Sequence, residues 1–479
     1  MSDAVIAANR FGLGARADDP PITAPRRWLI SQFDQFQPRP AAIAELPDSS
    51  TIATETAQYY AQIRQLQRAA RQGGQSVDDS ASTKSEAMAI RKMMRQQARA
   101  HYIPAVGARA QSALTTPAPF VERLVHFWAN HFAVSVDKPG VVGWAGYFEF
   151  EAIRPHVLGN FRDMLFAVEQ HAAMLFYLDQ VVSIGPDSAV GRLVARRGRR
   201  KLGINENLGR EAMELHTLGV RTGYSQADVT EFARALTGWT VAGIAQGPAA
   251  RLAGVRDGKP GSFIFAGRLH EPGARTIMGK RYDQSGEQQA VSVFDDLIRN
   301  SATAHHIAFK LARHFAGDTP PPTLVARLEK AFVRSNGDLP TLYSALVEAP
   351  EAWVAKPLKF KTPWEWTISA LRGLGAQNVP AKAVFGLQKQ LGQPVWNPGS
   401  PAGYDDIAAS WMGPDAIMRR VEAASRLAAQ TRGSLDARTL APKLIGVATG
   451  SDTERWIGRA ASPDQALALM LISPEFMRR

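Results

Sequence analysis

Apolar side chains recur at helical spacing along almost the whole of this 479-residue chain. A return of apolar residues every three or four positions is typical of helices that pack against a shared core. The spacing predicts helices at residues 54–70, Lys84–His101, from Pro119 onward, twice within 145–179 with a stop at Gly159 and Asn160, and at Gln284–Arg299, Ala302–Ala316, Pro322–Ser335 and Leu339–Glu348. We therefore expect an all-α fold, with one large multi-helix domain over residues 1–479.

Two long stretches depart from this pattern. Residues 240–290 are rich in Gly and Pro, and apolar pairs at Phe263–Phe265 and Ile277–Met278 predict a small β-hairpin within an inserted flap. Residues 392–404 contain several prolines and predict an irregular loop. A polar loop is expected at 71–83.

The formal net charge is +12. Such a balance suits an anionic partner, whether nucleic acid, acidic glycan, anionic lipid or an acidic protein, although an Arg-rich composition alone would give the same value. The densest basic run, from Arg196 to Lys201, lacks interleaved aromatic residues, so it predicts a flexible basic loop and not a site for single-stranded nucleic acid.

Several classes are excluded by what the sequence lacks. Without cysteine there is no disulfide, thiol nucleophile or cysteine-ligated metal site. No apolar run reaches the length of a membrane span, and the N-terminal residues show no apolar signal-peptide core. We expect a protein that is either cytoplasmic or exported together with a partner. No phosphate-binding, dinucleotide-binding or nucleophile-elbow motif occurs.

The segment from Asn205 to Leu218 is the most concentrated group of polar residues. At helical spacing its acids, amide and Arg share one face, whereas Leu208, Ala212 and Leu215 lie on another, and Gly219 suits the end of the helix. The members of the polar face are Glu206, Asn207, Arg210, Glu211 and Glu214. This face is either an ordinary solvated surface, supported by favourable pairs four residues apart, or a functional site.

As a site, the face permits two kinds of chemistry. Glu211 and Glu214 could divide the roles of general acid and base, with Arg210 fixing their geometry. Alternatively, oxygen atoms of Asn207, Glu211 and Glu214 could hold a divalent cation.

The next helix is predicted to begin at Ser225, with Asp228 completing a capping box, and to end at Gly238 before Trp239. Together the two helices form a hairpin. A DNA-reading helix-turn-helix is disfavoured because Asp228 and Glu231 occupy the positions that would approach phosphates or bases.

The histidines give weaker signals. His126 and His131 are five residues apart and face different sides of a helix, so they are poor joint metal ligands. The spacing of His306, Lys310 and His314 indicates an exposed or anion-facing stripe, because a lysine between two histidines disfavours a cation. His270 lies on a loop and is a candidate general acid or base.

A set of motifs in a fixed order resembles the bacterial domain-of-unknown-function family 1800. The motifs are Trp128-x-x-His131-Phe132, Gly159-Asn160-Phe161-Arg162, the block from Asn205 to Gly219, Leu236-Thr237-Gly238-Trp239, His270-x-x-Gly273-x-x-Thr276 and Lys310-Leu311. Four positions depart from the family pattern: Leu208-Gly209 replaces an aromatic residue followed by Ala, Glu271 replaces Asp, and His216 stands where relatives often carry Phe. The last difference argues against a catalytic role for His216.

The resemblance implies a largely helical fold and a connection to the cell envelope. Relatives are often exported, and their genes commonly neighbour those of a family that looks like the alkaline-phosphatase and sulfatase superfamily. The family has no established activity, so the resemblance favours a functional polar block without supplying a substrate.

The leading hypothesis is a helical hydrolase or lyase that acts on an envelope or acidic polymer, with or without a divalent cation. Its catalytic candidates are Glu211, Glu214, Arg210, His131 and His270. Its substrate-binding candidates are Trp128, Asn130, Asn205, Trp239 and Lys310. The alternatives are a non-catalytic partner or escort of an exported phosphatase- or sulfatase-like protein and, less favoured, a nucleic-acid-binding protein.

Overall fold

A computed structural model describes residues 2–72, 81–196, 203–245, 248–256, 258–446 and 450–479. Most of the predicted basic run and the centre of the predicted 71–83 loop lie outside these ranges. Of the basic run, only Arg196 is described, at the end of a helix.

The described chain is largely helical, which confirms the predicted fold class. Proline at the first helical turn and side-chain caps such as Ser225 and Asn300 fix many of the helix starts. The α-helices are α1 (Asp3–Ile6), α2 (Pro25–Gln35), α3 (Ala41–Ala44), α4 (Ser49–Gln72), α5 (Ala81–Thr115), α6 (Pro119–His131), α7 (Ala145–Phe148), α8 (Phe161–Glu169), α9 (Ala172–Tyr177), α10 (Ala189–Arg196), α11 (Asn207–Glu211), α12 (Gln226–Leu236), α13 (Pro248–Ala253), α14 (Glu287–Arg299), α15 (Ser301–Ala316), α16 (Pro322–Arg334), α17 (Leu339–Glu348), α18 (Pro363–Gly373), α19 (Ala381–Gln390), α20 (Pro414–Gln430), α21 (Ala437–Ile445), α22 (Asp452–Gly458), α23 (Pro463–Ile472) and α24 (Pro474–Met477).

Wider π-helical turns continue three of the helices, at Ala7–Phe11, Glu149–Ile153 and Ala212–His216. Short 3₁₀ turns lie at Arg154–His156, Gln180–Val182, Gly267–Leu269, Pro350–Trp353 and Ala408–Ser410. The predicted pair of helices within 145–179 is consequently more broken than expected, although Asn160 does separate its two halves by capping α8.

Two small antiparallel sheets interrupt the helices within the predicted flap. Strand β1 (Trp239–Val241) pairs with β2 (Phe263–Phe265), and β3 (Arg275–Ile277) pairs with β4 (Lys280–Tyr282). A β-hairpin is therefore present, but the prediction that Phe263–Phe265 pairs with Ile277–Met278 is wrong. Met278 and Gly279 both have positive φ, so a two-residue turn reverses the chain directly after Ile277.

Among the described residues, three clusters of buried apolar side chains hold the helices together. The largest extends from Ile6 to Trp396 and includes a group of stacked and edge-on rings formed by Phe11, Phe120, Phe315 and Trp353. A second joins α18 and the helices from α20 onward, and a small third cluster is formed by Val190 of α10 with residues of the predicted flap. None of the described helices has the length and apolar character needed to cross a membrane.

Candidate functional site

A cavity of about 420 Å³ opens between α6, α15, the start of α18 and the irregular segment that follows Gly392. A volume of this size suits a small molecule or one unit of a polymer. Its polar lining is formed by Arg109, Arg123, His126, Asn130, His131, His306, Lys310, Arg313, His314, Glu365, Tyr404, Asp405 and Asp406. Three of the predicted site residues, Asn130, His131 and Lys310, are among them.

The predicted irregular segment, 392–404, has no helix or strand and forms one wall of the cavity. Asn130 secures it, since its amide donates to the carbonyl oxygen of Tyr404 at 2.8 Å and accepts from the Tyr404 amide at 2.7 Å. The indole of Trp396 also donates to the buried carboxylate of Glu149 at 2.9 Å. Asn130 thus positions the wall that faces any ligand.

Helix α15 supplies the opposite side. His306, Lys310, Arg313 and His314 are spaced at i, i+4, i+7 and i+8, so one face of this helix carries them all toward the cavity. Asn300 begins the helix by accepting from the amide of Ala302 at 2.9 Å. The stripe of His306, Lys310 and His314, predicted to be exposed or anion-facing, therefore lines this cavity.

Backbone carbonyls fix the protonation of two of the histidines. Nε2 of His131 lies 3.2 Å from the carbonyl oxygen of His216, and Nε2 of His306 lies 3.1 Å from that of Leu215. A carbonyl oxygen only accepts hydrogen bonds, so each Nε2 carries the proton and each Nδ1 keeps a lone pair. Burial, together with Lys310, holds the pKa of His131 well below its usual value and lowers that of His306 to about 4.

His314 is oriented by a carboxylate. Its Nδ1 lies 2.9 Å from Oδ2 of Asp406, and Lys359 holds the other oxygen of that carboxylate at 3.1 Å. Burial alone would raise the pKa of Asp406, but His314 and Lys359 lower it far below its usual value. Asp406 is thus ionised and accepts a hydrogen bond from Nδ1–H, which leaves a lone pair on the buried Nε2 of His314.

Some of the cationic side chains that line the cavity are paired with carboxylates, and others are not. Arg109 binds both oxygens of Glu149 at 2.8 and 3.0 Å, and Arg123 contacts Glu365. By contrast, the side chain of Lys310 makes no ion pair or hydrogen bond with any residue that the structure describes. The Nε of Arg313 is buried without a hydrogen-bond partner there, and its guanidinium packs over the ring of Phe309. Lys310 and Arg313 therefore bring positive charge to a lining that also contains Glu365, Asp405 and Asp406, without a direct ion pair of their own among the described residues.

The predicted acidic face lies elsewhere. Arg210 bridges Glu206 at 3.2 Å and Glu214 at 3.5 Å, and Glu206 also accepts from Thr230 of α12 at 2.6 Å. Glu211 is half-buried, and burial raises its pKa. The face thus joins α11 to α12, and its side chains do not line the cavity, so its catalytic role stays a prediction.

The remaining predicted residues are dispersed. Trp128 is buried and donates to the hydroxyl of Tyr343 at 2.6 Å, and Trp239 is buried beside Phe263 and Phe294. Their substrate-binding roles stay predictions.

Two more candidates lie on loops outside the cavity lining. The side chain of Asn205 accepts from the amide of Asn207, the first residue of α11, at 2.9 Å. His270 donates through Nδ1 to the carbonyl of Thr237 at 2.9 Å, and burial lowers its pKa. Their proposed roles likewise stay predictions.

Within the described ranges, no group of three or more His, Asp and Glu side chains is arranged to hold a metal ion. The cation suggested for Asn207, Glu211 and Glu214 stays a prediction as well.

The comparison with protein families matches residues 6–478 to the family described as a protein of unknown function, DUF1800. The chain belongs to the DUF1800 family. No curated protein and no solved structure matches it significantly. For this DUF1800 protein, the geometry of the cavity is therefore the main guide to function.

Sequence reasoning missed Arg313 and Asp406 as members of the site. Asp406 is separated from His314 by 92 residues, and no local pattern links the two. Arg313 carried a usable signal, because it continues the helical spacing of Lys310 and His314.

Proposed function

We propose that this DUF1800 protein is a hydrolase or lyase that binds an anionic, hydroxyl-bearing unit, such as an acidic sugar at the end of a polymer, in the α15 cavity. The observation that carries the proposal is the pairing of His314 with Asp406 beside the unneutralised charge of Arg313.

The cations account for the anionic part of the ligand. Arg313 lies on the cavity wall with its Nε buried and unpartnered among the described residues. A buried donor without a partner costs about 1–3 kcal/mol, so a carboxylate or phosphate that accepts from Arg313 removes this cost. Lys310 adds a second positive charge one turn earlier.

The histidines account for the hydroxyl groups. Nδ1 of His131 and Nε2 of His314 are buried and make no hydrogen bond in the described part of the chain. Nε2 of His314 lies 3.9 Å from Oε1 of Glu365. Because both atoms hold lone pairs, they match ligand groups that donate hydrogen bonds, and hydroxyl groups do so. An anionic ligand with several hydroxyl groups therefore matches both the cationic side chains and the hydrogen-bond-accepting histidines of the cavity.

His314 is the proton acceptor of the proposal. Asp406 fixes the ring and stabilises the imidazolium that forms when Nε2 takes a proton, as in other histidine–carboxylate pairs. Burial lowers the pKa of His314, against the opposing effect of Asp406, so the ring is neutral and ready to accept at pH 7. The proton comes from water in a hydrolase or from a ligand carbon in a lyase.

The test uses acidic oligosaccharides that carry uronate or phosphate groups, with products followed by mass spectrometry. A gain of one water indicates hydrolysis, and cleavage without that gain indicates elimination. We expect His314→Gln to lower kcat by about 10²-fold or more. His305→Gln is the matched control, because His305 lies on the same helix but is exposed and pairs with Glu329 at 3.1 Å.

Wild-type activity in His314→Gln would overturn the assignment of the proton acceptor. Loss of activity in Glu211→Gln, with His314→Gln unaffected, would return the reacting centre to the acidic face of α11.

A further inference from the structure

We infer that the primary amine of Lys310 is a nucleophile that forms an imine with small carbonyl compounds entering the α15 cavity, aldehydes or 2-oxo acids in particular. The inference goes beyond the proton acceptor proposed above. It rests on that proposal only for the choice of a carboxylate-bearing probe.

The first support is the absence of a direct ion pair. Two other lysines are paired, since Lys359 contacts Asp318 at 3.0 Å and Lys138 contacts Asp179 at 2.6 Å. Lys310 lines the cavity with no such partner among the residues described. Its amine is therefore free to approach a ligand.

The second support is the environment of the amine. Burial and Arg313 lower the pKa of Lys310 to about 8, although Asp406 acts in the opposite direction. A pKa near 8 leaves about one amine in four neutral at pH 7.5, against about one in a thousand for an ordinary lysine. Desolvation beside another cation is a recognised way of activating a lysine for imine chemistry.

The step balances without a further reactant. The nitrogen lone pair forms the C–N bond, and the carbonyl oxygen leaves as water with the two protons of the neutral amine.

The chain contains two matched internal controls. Burial lowers the pKa of Lys361 to about 7, but Lys361 packs over the ring of Phe476 and does not line the cavity. Lys138 has a partly exposed side chain but is neutralised by Asp179. Lys361 therefore tests whether a lowered pKa is enough when the probe cannot reach the amine. Lys138 tests whether exposure to the probe is enough when the amine is paired with a carboxylate.

The experiment incubates the full-length protein at pH 7.5 with glyoxylate and sodium cyanoborohydride, which reduces an imine to a stable amine. Peptide mass spectrometry then measures the adduct at each lysine. We expect labelling of Lys310 to exceed that of Lys138 and Lys361 at least tenfold. Labelling of Lys310 no greater than that of these controls would overturn the inference.

A second probe separates this inference from the proposed anion site. Acetaldehyde has no charge, so it tests the amine alone. Strong labelling of Lys310 by acetaldehyde with no preference for glyoxylate supports the nucleophile and contradicts the anion site. A preference for glyoxylate that Arg313→Gln removes supports both.

Discussion

The imidazole of His131 donates through Nε2 to the carbonyl oxygen of His216 across 3.2 Å. This contact connects the α15 cavity to the polar block at Asn205–Gly219. The block therefore contributes to the cavity through its backbone, because the carbonyl group of His216 orients the ring of His131. His306 is held in the same way by the neighbouring carbonyl of Leu215.

The protonated nitrogens of these histidines can be observed directly. We expect imidazole ¹⁵N spectra at pH 7 to show the proton on Nε2 for His131 and His306, and on Nδ1 for His314. The carbonyl acceptors of the first two rings and the Asp406 carboxylate beside the third require this arrangement. A proton on Nδ1 of His131 would contradict the hydrogen bond to His216.

The buried histidines should make the protein sensitive to mild acid. The pKa of His306 falls from 6.5 to about 4 on folding, so below pH 6.5 the unfolded chain binds protons that the folded chain excludes. Stability is therefore full above pH 6.5 and falls as pH decreases toward 4, with His306 alone contributing a loss of about 3 kcal/mol. Urea unfolding measured between pH 7.5 and 4.5 tests the slope.

His306→Asn removes one titrating group from this comparison. The variant should lose less stability between pH 7.5 and 4.5 than the wild type. An unchanged slope would show that His306 does not contribute.

The ionised Glu365 should be a large contributor to stability. It contacts Arg123, lies 2.7 Å from Arg479 and also accepts from the amide of Thr362 at 2.9 Å. Glu365→Gln keeps the capping interaction but leaves buried positive charge without its partner, so we expect a loss of about 3–5 kcal/mol in the free energy of unfolding.

Asp295→Asn is the control for this charge effect. Asp295 pairs with Arg162 at 2.6 Å on the surface, and we expect a change below about 1 kcal/mol. Equal effects of the two substitutions in urea unfolding would argue against a special role for the buried charge.

Gly403 should be essential to the wall held by Asn130. Its φ is +82°, and a Cβ built there would lie 2.3 Å from the carbonyl oxygen of Asn130. We expect Gly403→Ala to destabilise the protein by about 1–3 kcal/mol and to weaken ligand binding. Gly399→Ala is the control, since a Cβ at Gly399 meets open space, and a similar loss in both variants would contradict this account.

The helices were largely predictable because each depends on local periodicity. The predicted Ala302–Ala316 differs from α15 by one residue, and the predicted Leu339–Glu348 coincides with α17. The hairpin pairing was wrong because Met278 and Gly279 form a tight turn without the usual Asn-Gly signal.

The site was only partly predictable because distant segments form it. Asn130 meets Tyr404 across 274 residues, and no spacing rule relates them. Lys310 and His131 were predicted from the sequence. The Asn205–Gly219 block contributes backbone carbonyl oxygens, and the types of its residues do not reveal this role. Any side chain at 215 or 216 offers the same backbone acceptor.

The number of residues in the π-helical turn at Ala212–His216 sets the direction of the carbonyl groups that contact the cavity histidines. Such a turn holds one more residue than an α-helical turn. Removing a single residue there would let the helix close into regular α geometry and rotate the following backbone by about 100°. The carbonyl of Leu215 would then turn away from His306, and that of His216 from His131. All the side chains of the site would still be present. Two relatives could thus share all these residues and differ in function through one deletion.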